Sequence, residues 1–375
     1  MAGRGSRPCF LWGPRQTGKS TLLKELFPAA CIYDLLLSEE FERLVRKPSI
    51  LREEVLASPA HRGSPVVIDE VQKIPSLLDE IHWLIRERSV PFILCGSSPR
   101  KLIRGGGGLL GGRALRYELH PLVYPEIPGF DLVRALNHGL LAPHYVSDDP
   151  GPQLHAYVGS YLREEVAAEG LARSLPVFAR FLESAAFSNG EIINYQNVAS
   201  DCGVSRPTAT AYFEILSDTL IGRFLPSFRK RPKRRVIQAP KFYFFDIGLA
   251  NMLLKRGRLE PGGEAFGKAL EHFVHQEIVA HSHYTRLDYS LSFWRTASQY
   301  EVDFILGEGE VAVEVKAVAP VSERHLRGLR AFREEYRPRR SVVISLDARA
   351  RVIDGIQVLP CREFLEELWT GKLIR

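Results

Sequence analysis

The 375-residue sequence predicts an α/β protein built from three successive segments. Three observations point there. In the first third, short apolar runs alternate with stretches of helical periodicity, the pattern of a parallel sheet with helices on both faces. The middle third turns helical, is broken repeatedly by proline, and ends in two helices separated by a tight turn. The last third sets a long helix before two facing strands that carry charged residues at period two. The predicted segments are 1–130, 131–239 and 240–375.

Composition narrows the class. Hydrophobic residues make up 45%, enough for packed cores, and the net charge of +6 is a mild basic excess whose placement matters more than its size. Cys9, Cys31, Cys95, Cys202 and Cys361 are scattered, odd in number and form no CxxC pair, which predicts free thiols in a reducing compartment and argues against zinc. The sequence shows no apolar run of membrane-span length and no signal-peptide pattern at its start, so the expected setting is cytoplasmic, with no membrane partner.

The first segment opens with an apolar run, Cys9–Trp12, followed by Gly13, Pro14, Arg15, Gln16, Thr17, Gly18, Lys19, Ser20 and Thr21. These fit the phosphate-binding loop G-x-x-x-x-G-K-[ST], which works between a strand and a helix N-terminus. The glycines let successive N–H groups face the phosphates of ATP, Lys19 adds a point charge, and the Ser20 hydroxyl is a ligand for Mg²⁺. A helix over 20–27 and a strand near Ala30–Leu35 follow, then helical periodicity from Ser38 to Leu56. The next strand, Pro65–Ile68, ends in Asp69 and Glu70. Asp69 is expected to hold Mg²⁺ through water, and Glu70 to polarise the attacking water. After a helix carrying Leu77, Leu78, Ile81, Leu84 and Ile85, the strand Val90–Cys95 ends in Gly96-Ser97-Ser98. Ser97 lies at the carboxyl end of its strand, where such sheets bind nucleotides, and is a candidate for contacting the γ-phosphate; the alternative is a helix N-cap. Beyond the glycine-rich run 105–112, Arg113 is a candidate arginine finger, in this subunit or a neighbour, with a solvated arginine as the alternative.

In the second segment, helices are expected near 153–169 and 174–188. Tyr195–Cys202, the Gly203-Val204 turn and a helix from an Ser205 N-cap to Asp218 have helix–turn–helix spacing, with Pro207 tolerated in the first turn. Arg206, Thr208 and Thr210 are candidates to face a DNA groove. Ile221–Phe228 and Val236–Gln238 bracket Arg229, Lys230, Arg231, Pro232, Lys233, Arg234 and Arg235, the pattern of a β-wing with a basic tip. Such a tip suits sequence-independent phosphate contact; a protein-docking module or a solvated loop is the alternative.

In the third segment, the strand Pro240–Asp246 precedes a short helix and a longer one over about 264–282 that carries Glu271. Ser292–Arg295 leads into Glu301–Leu306, and the partner strand is Val311–Lys316, with Gly307 and Gly309 in the turn. Period two puts Glu314 and Lys316 on one face, opposite Val311, Val313 and Val315, and Asp303 reaches the same point from the neighbouring strand. Asp303, Glu314 and Lys316, with Glu271 from the helix, have the spacing of the PD-(D/E)xK nuclease core. There the carboxylates hold Mg²⁺ and the lysine orients or activates water. A salt-bridged strand face is the alternative.

Taken together, the phosphate loop with Leu22-Leu23, Ile68-Asp69-Glu70-Val71-Gln72, Gly96-Ser97-Ser98, Gly112-Arg113, Pro240 through Ala250, and Trp294-Arg295 through Asp303 to Glu314-Val315-Lys316 resemble a known prokaryotic family over nearly the whole chain. That family pairs an AAA+-like ATPase with a C-terminal domain of unknown function 4143. The resemblance implies an oligomeric ASCE-type ATPase domain, then a winged helix, then a restriction-endonuclease-like α/β domain. It supplies architecture more firmly than biology.

Two functions compete. One is an ATP-hydrolysing DNA-processing motor of helicase or branch-migration type, assembled as a ring, most simply a hexamer. It would act on duplex, single-stranded or branched DNA. The other is a regulatory switch ATPase whose winged helix docks protein and whose nuclease-like domain is an inactive scaffold. The basic run and the carboxylate–lysine set favour the first.

Overall fold

Apolar side chains on both sides of Cys9–Trp12, Val66–Asp69 and Phe92–Gly96 make strands that need cover on two faces, and the chain supplies it. The computed structural model describes residues 7–58, 64–104, 110–162, 175–230 and 236–375. These divide into two compact units, one of residues 1–120 with 218–221, the other of residues 121–217 with 222–375.

In the first unit, β1 (Cys9–Trp12), β2 (Cys31–Asp34), β3 (Val66–Asp69), β4 (Phe92–Gly96) and β5 (Leu115–Glu118) form a parallel sheet in the order β2-β3-β4-β1-β5. Helix α1 (Lys19–Leu26) covers one face, where Leu23 meets Cys9, Leu11, Val67, Ile93 and Cys95. Helices α2 (Ser38–Arg46), α3 (Ser49–Ala57) and α4 (Leu77–Arg88) cover the other, packing Leu44, Leu51, Val55 and Ile81 on Phe10, Trp12, Ile68 and Leu94. The single helix expected over 38–56 is two. Pro48 brings no N–H donor and pushes Lys47 out of the helical region (φ −144°, ψ 85°), so α2 stops and α3 starts afresh from Pro48. A short α5 (Arg100–Arg104) follows β4.

The second unit opens with α6 (Leu132–His138), α7 (Ala142–Val146), α8 (Gly151–Ala156), a π-helical continuation over Tyr157–Leu162, and α9 (Leu175–Phe187). Next come α10 (Tyr195–Cys202), capped by the Asn194 side chain, and α11 (Arg206–Asp218), separated by Gly203 at φ 67°. Strand β6 (Gly222–Leu225) pairs antiparallel with β7 (Lys241–Phe244). This corrects the expected wing, in which the two flanks of the basic run pair with each other. Instead Ser227 and Val236 each make one bridge, to Phe293 and Thr296, and β6 takes its partner from the strand read as the start of the third segment.

After α12 (Ile247–Leu253) and α13 (Glu264–Thr285) come β8 (Leu291–Arg295), β9 (Glu301–Leu306), β10 (Val311–Val315), α14 (Arg327–Tyr336), β11 (Arg340–Ser345), β12 (Arg351–Ile353), β13 (Ile356–Pro360) and α15 (Cys361–Trp369). The strands form a mixed sheet ordered β12-β13-β11-β10-β9-β8. Helices α13 and α15 pack on the face with Phe304, Val311, Val313 and Val315, and α14 on the face with Val302, Ile305 and Ala312. Every residue of β10 is therefore buried, Glu314 included. All five cysteines are free thiols. No helix among the described residues is long and apolar enough to cross a membrane.

Candidate active site

Three neighbouring parallel strands deliver their carboxyl ends to one edge of the first unit: the loop after β1, Asp69 and Glu70 after β3, and Ser97 after β4. Gly18, the residue before α1, adopts φ 91°, a conformation open to glycine at no steric cost. Gly13 is required for a different reason, since a Cβ there would stand 2.5 Å from the Leu119 carbonyl oxygen. Between them Gln16 also takes a positive φ of 65°, and the Thr17 hydroxyl donates to the Pro14 carbonyl at 2.9 Å. The loop of Gly13, Pro14, Arg15, Gln16, Thr17 and Gly18 is thus wound tightly ahead of the first turn of α1, which holds Lys19, Ser20 and Thr21.

Lys19 is buried and its Nζ donates to the loop's own carbonyls, Gly13 at 2.6 Å and Pro14 at 3.0 Å. The Ser20 hydroxyl donates to Asp69 Oδ2 at 2.9 Å. That bond joins residues 49 apart in sequence and sets an alcohol oxygen beside a carboxylate, the oxygen pair that a hard cation such as Mg²⁺ takes. The wound loop and the lysine folded over it suit the phosphates of a nucleotide. The residues present fit a magnesium nucleotide.

Glu70 is 7% exposed and adopts φ 57°, an uncommon conformation outside glycine. Its carboxylate accepts from the Gln72 side-chain amide, and the same amide nitrogen lies 3.0 Å from Ser97 Oγ. The sequence motif contains Gln72, but nothing in its type or spacing marked it as part of the site. Ser97 is 2% exposed; the cap hydrogen bond for the following turn comes from Ser98, whose Oγ accepts from Arg100 N at 3.1 Å. Arg100, also unmarked in the sequence, is 3% exposed and ion-paired with Asp218, whose carbonyl accepts from Ser98 Oγ at 3.1 Å. Arg113 stands just before β5 and is exposed, its guanidinium against His82 Nε2 on α4.

The second unit holds the carboxylate–lysine group. β9 and β10 pair from Leu306↔Val311 as far as Phe304↔Val313, and there the Asp303 side chain takes over, accepting the Val315 N–H at 2.7 Å. Lys316 Nζ is 2.6 Å from Glu314 Oε1 and 3.8 Å from Asp303 Oδ2. Burial, and then the Asp303 charge, push the Glu314 carboxyl up to about 8. Burial works against the Lys316 ammonium, but Asp303 and Glu314 outweigh it and hold the lysine above its ordinary value. Glu271 is engaged differently. It accepts from Lys241 Nζ at 3.0 Å and from the Tyr243 hydroxyl at 2.6 Å, and Lys241 is also 2.8 Å from Glu301 Oε1. Lys241 is 3% exposed, so an ammonium is built into the acidic group. Among the described residues, Glu271, Asp303 and Glu314 do not bring three carboxylate oxygens within 4.8 Å of one another. Lys241 thus bridges Glu271 and Glu301, and Lys316 bridges Glu314 and Asp303. The signal for Lys241 and Tyr243 was a polar pair at i, i+2 in an otherwise aromatic strand.

Of the nucleic-acid candidates, Arg206 begins α11 and is exposed. The Thr208 hydroxyl bonds to Ser205 Oγ at 2.8 Å and the Thr210 hydroxyl donates to the Arg206 carbonyl at 3.1 Å, so both serve the first turn. Arg229 donates to the Gln238 carbonyl at 3.2 Å and Lys230 to the Glu308 carbonyl at 3.1 Å, both at exposed positions. Arg231, Lys233, Arg234 and Arg235 lie outside the described residues.

Comparison with known proteins gives three consecutive matches. Residues 5–128 match an AAA domain, residues 131–260 a domain of unknown function (DUF8612), and residues 266–364 a domain of unknown function (DUF4143). Two uncharacterised proteins, from Mycobacterium bovis and Mycobacterium tuberculosis, are each 27% identical to this chain over 303 residues. The aligned region is 78% of this chain and 66% of each relative, so the chain spans about two thirds of the length of the curated relatives it matches.

Proposed function

We propose that this chain, whose residues 5–128 match an AAA domain and 266–364 a domain of unknown function (DUF4143), hydrolyses ATP with Mg²⁺ and spends the energy on DNA as an oligomeric motor. The observation that carries hydrolysis is the Ser20–Asp69 hydrogen bond at 2.9 Å, with Glu70 the next residue in the chain. Each group has a task that its chemistry allows. The loop N–H groups and Lys19 bind and neutralise phosphate oxygens, and Ser20 and Asp69 supply the oxygen ligands for the metal. Magnesium, when bound, offsets the charge that develops on the phosphates. Glu70 accepts the proton of the attacking water, and Ser97 donates to a phosphate oxygen.

The helicase or branch-migration reading draws on the helix–turn–helix spacing of α10 and α11 with Arg206, and on the basic run from Arg229 to Arg235. The ring, most simply a hexamer, is proposed on Arg113, whose exposed position suits the phosphates of a neighbouring subunit. One observation favours part of the second reading. Lys241, bonded to Glu271 and Glu301, supplies from within the protein the positive charge that a nuclease metal would bring. We therefore read the C-terminal domain as a grip or scaffold that does not cut.

The test is the ATPase rate alone and with single-stranded, duplex and branched DNA. Turnover that rises several-fold with one of these, and is lost in Lys19→Ala and Glu70→Gln, supports the motor. Slow turnover indifferent to all three DNAs points to the regulatory switch.

A further inference from the structure

Glu70 closes β3 in the left-handed region, and the chain then makes a single 3₁₀ turn, Val71–Lys73, beside β4. That reversal buries the Gln72 side chain, 7% exposed, between the ends of two strands. Gly96 leaves room for it, because any Cβ at that position would collide with Gln72 Oε1 and with the Trp12 ring. The amide orientation is dictated by its neighbours. A carboxylate accepts hydrogen bonds only, so the NH₂ group faces Glu70, and the same nitrogen lies 3.0 Å from Ser97 Oγ, to which it donates its second hydrogen. The other end of the amide, Oε1, is buried with no hydrogen-bond partner.

We propose that Gln72 is a positioning residue for ATP hydrolysis, one amide that orients the Glu70 carboxylate and the Ser97 hydroxyl together. This rests on the ATPase reading and deepens it. By donating to Glu70, Gln72 fixes one carboxylate oxygen and so sets the direction of the other. By donating to Ser97, it occupies a lone pair of that oxygen, and the serine must direct its own hydrogen elsewhere, toward an acceptor such as a phosphate. A change at Ser97 is thereby felt at Glu70 through one rigid planar group. Gln72 itself touches neither water nor nucleotide in this scheme, so its loss should spare binding and slow the chemical step.

Gln72→Met keeps the volume and removes both donors; Gln72→Ala is the second variant, in case the first folds poorly. Both are compared with Ser97→Ala, with the Gln72→Met/Ser97→Ala double variant and with Glu70→Gln, reading kcat, KM and the dissociation constant of a fluorescent ATP analogue. The expected result is a kcat about 10- to 100-fold lower, as for a misplaced catalytic group, with KM and nucleotide affinity within about twofold of wild type. The double variant should be no slower than about the slower single, because both substitutions break the same connection. Wild-type kcat in Gln72→Met, or effects that multiply fully in the double variant, would overturn the coupling while Glu70→Gln still confirmed hydrolysis. Loss of nucleotide binding in both Gln72 variants would make the residue structural and overturn it as well. A wild-type protein without Lys19-dependent turnover would remove the ATPase reading and this proposal together.

Discussion

Lys241 shows how one buried side chain can change the meaning of the carboxylates around it. Its Nζ lies 3.0 Å from Glu271 and 2.8 Å from Glu301, and burial alone would favour the neutral amine. The carboxylates reverse that and hold it charged, well above the ordinary lysine value, so the group carries its own counter-ion. Removing one partner of such a buried set costs about 3–5 kcal/mol, because the opposing charges are left uncompensated. Lys241→Met should accordingly lower the melting temperature by several degrees. Millimolar Mn²⁺ should restore part of that loss, the ion entering where the ammonium was, and should leave the wild-type transition unmoved. A wild-type protein strongly stabilised by Mn²⁺, or a variant that melts like wild type, would show that the lysine is not the cation of this site.

At the scale of single elements, α13 is unusual in burying several polar side chains, among them His272, Glu277 and His281. Glu277 accepts from Trp369 Nε1 at 2.7 Å and from Tyr124 N at 2.9 Å, tying the helix to α15 and to the start of the second unit. Burial pushes its carboxyl from 4.5 up to about 8. The folded pKa lies above the unfolded one, so the contribution of Glu277 is full below pH 4.5 and is lost as pH rises toward 8. His272 and His281 of the same helix are shifted down to about 4 by burial and act oppositely, but only below their ordinary 6.5. Between about pH 6.5 and 8, denaturant unfolding should show wild type losing stability relative to Glu277→Gln; parallel curves would refute the shift. The segment between β6 and β7 carries a different prediction. Replacing Arg231, Lys233 and Arg234 with Ala should weaken DNA binding uniformly across sequences. It should also flatten the slope of log K against log salt by about two to three, at about 0.9 per phosphate contact. An unchanged slope would place the DNA elsewhere.

For the whole molecule the open quantity is assembly. Arg113 is exposed, with its guanidinium against His82, while Lys19 and Glu70 are buried at the edge of their sheet. If Arg113 serves the site of a neighbouring subunit, then subunits carrying Arg113→Ala and subunits carrying Lys19→Ala, each inactive alone, should regain part of the ATPase rate when mixed. In a ring some interfaces would join an intact Lys19 site to an intact Arg113. No recovery on mixing, together with a monomer by light scattering at saturating ATP analogue, would refute the ring.

What could be read without the structure was local. The G-x-x-x-x-G-K-[ST] spacing, the apolar strand ending in Asp69 and Glu70, and the helix–turn–helix spacing around Gly203 are written in runs of a few residues, because phosphate loops, strands and capped turns depend on neighbours in the chain. The PD-(D/E)xK spacing of Asp303, Glu314 and Lys316 was legible in the same way, and Val311, Val313 and Val315 do share one face. What the periodicity could not carry was which distant segments meet. It did not say that β7 turns to β6 and not to the C-terminal sheet, that Lys241 enters the acidic group, or that Gln72 spans from Glu70 to Ser97. A strand's period says which face is apolar but not which strand lies beside it. A lone lysine or glutamine reads as a surface residue until the fold removes its water, and the partners that replace that water are chosen only when the chain has closed around them.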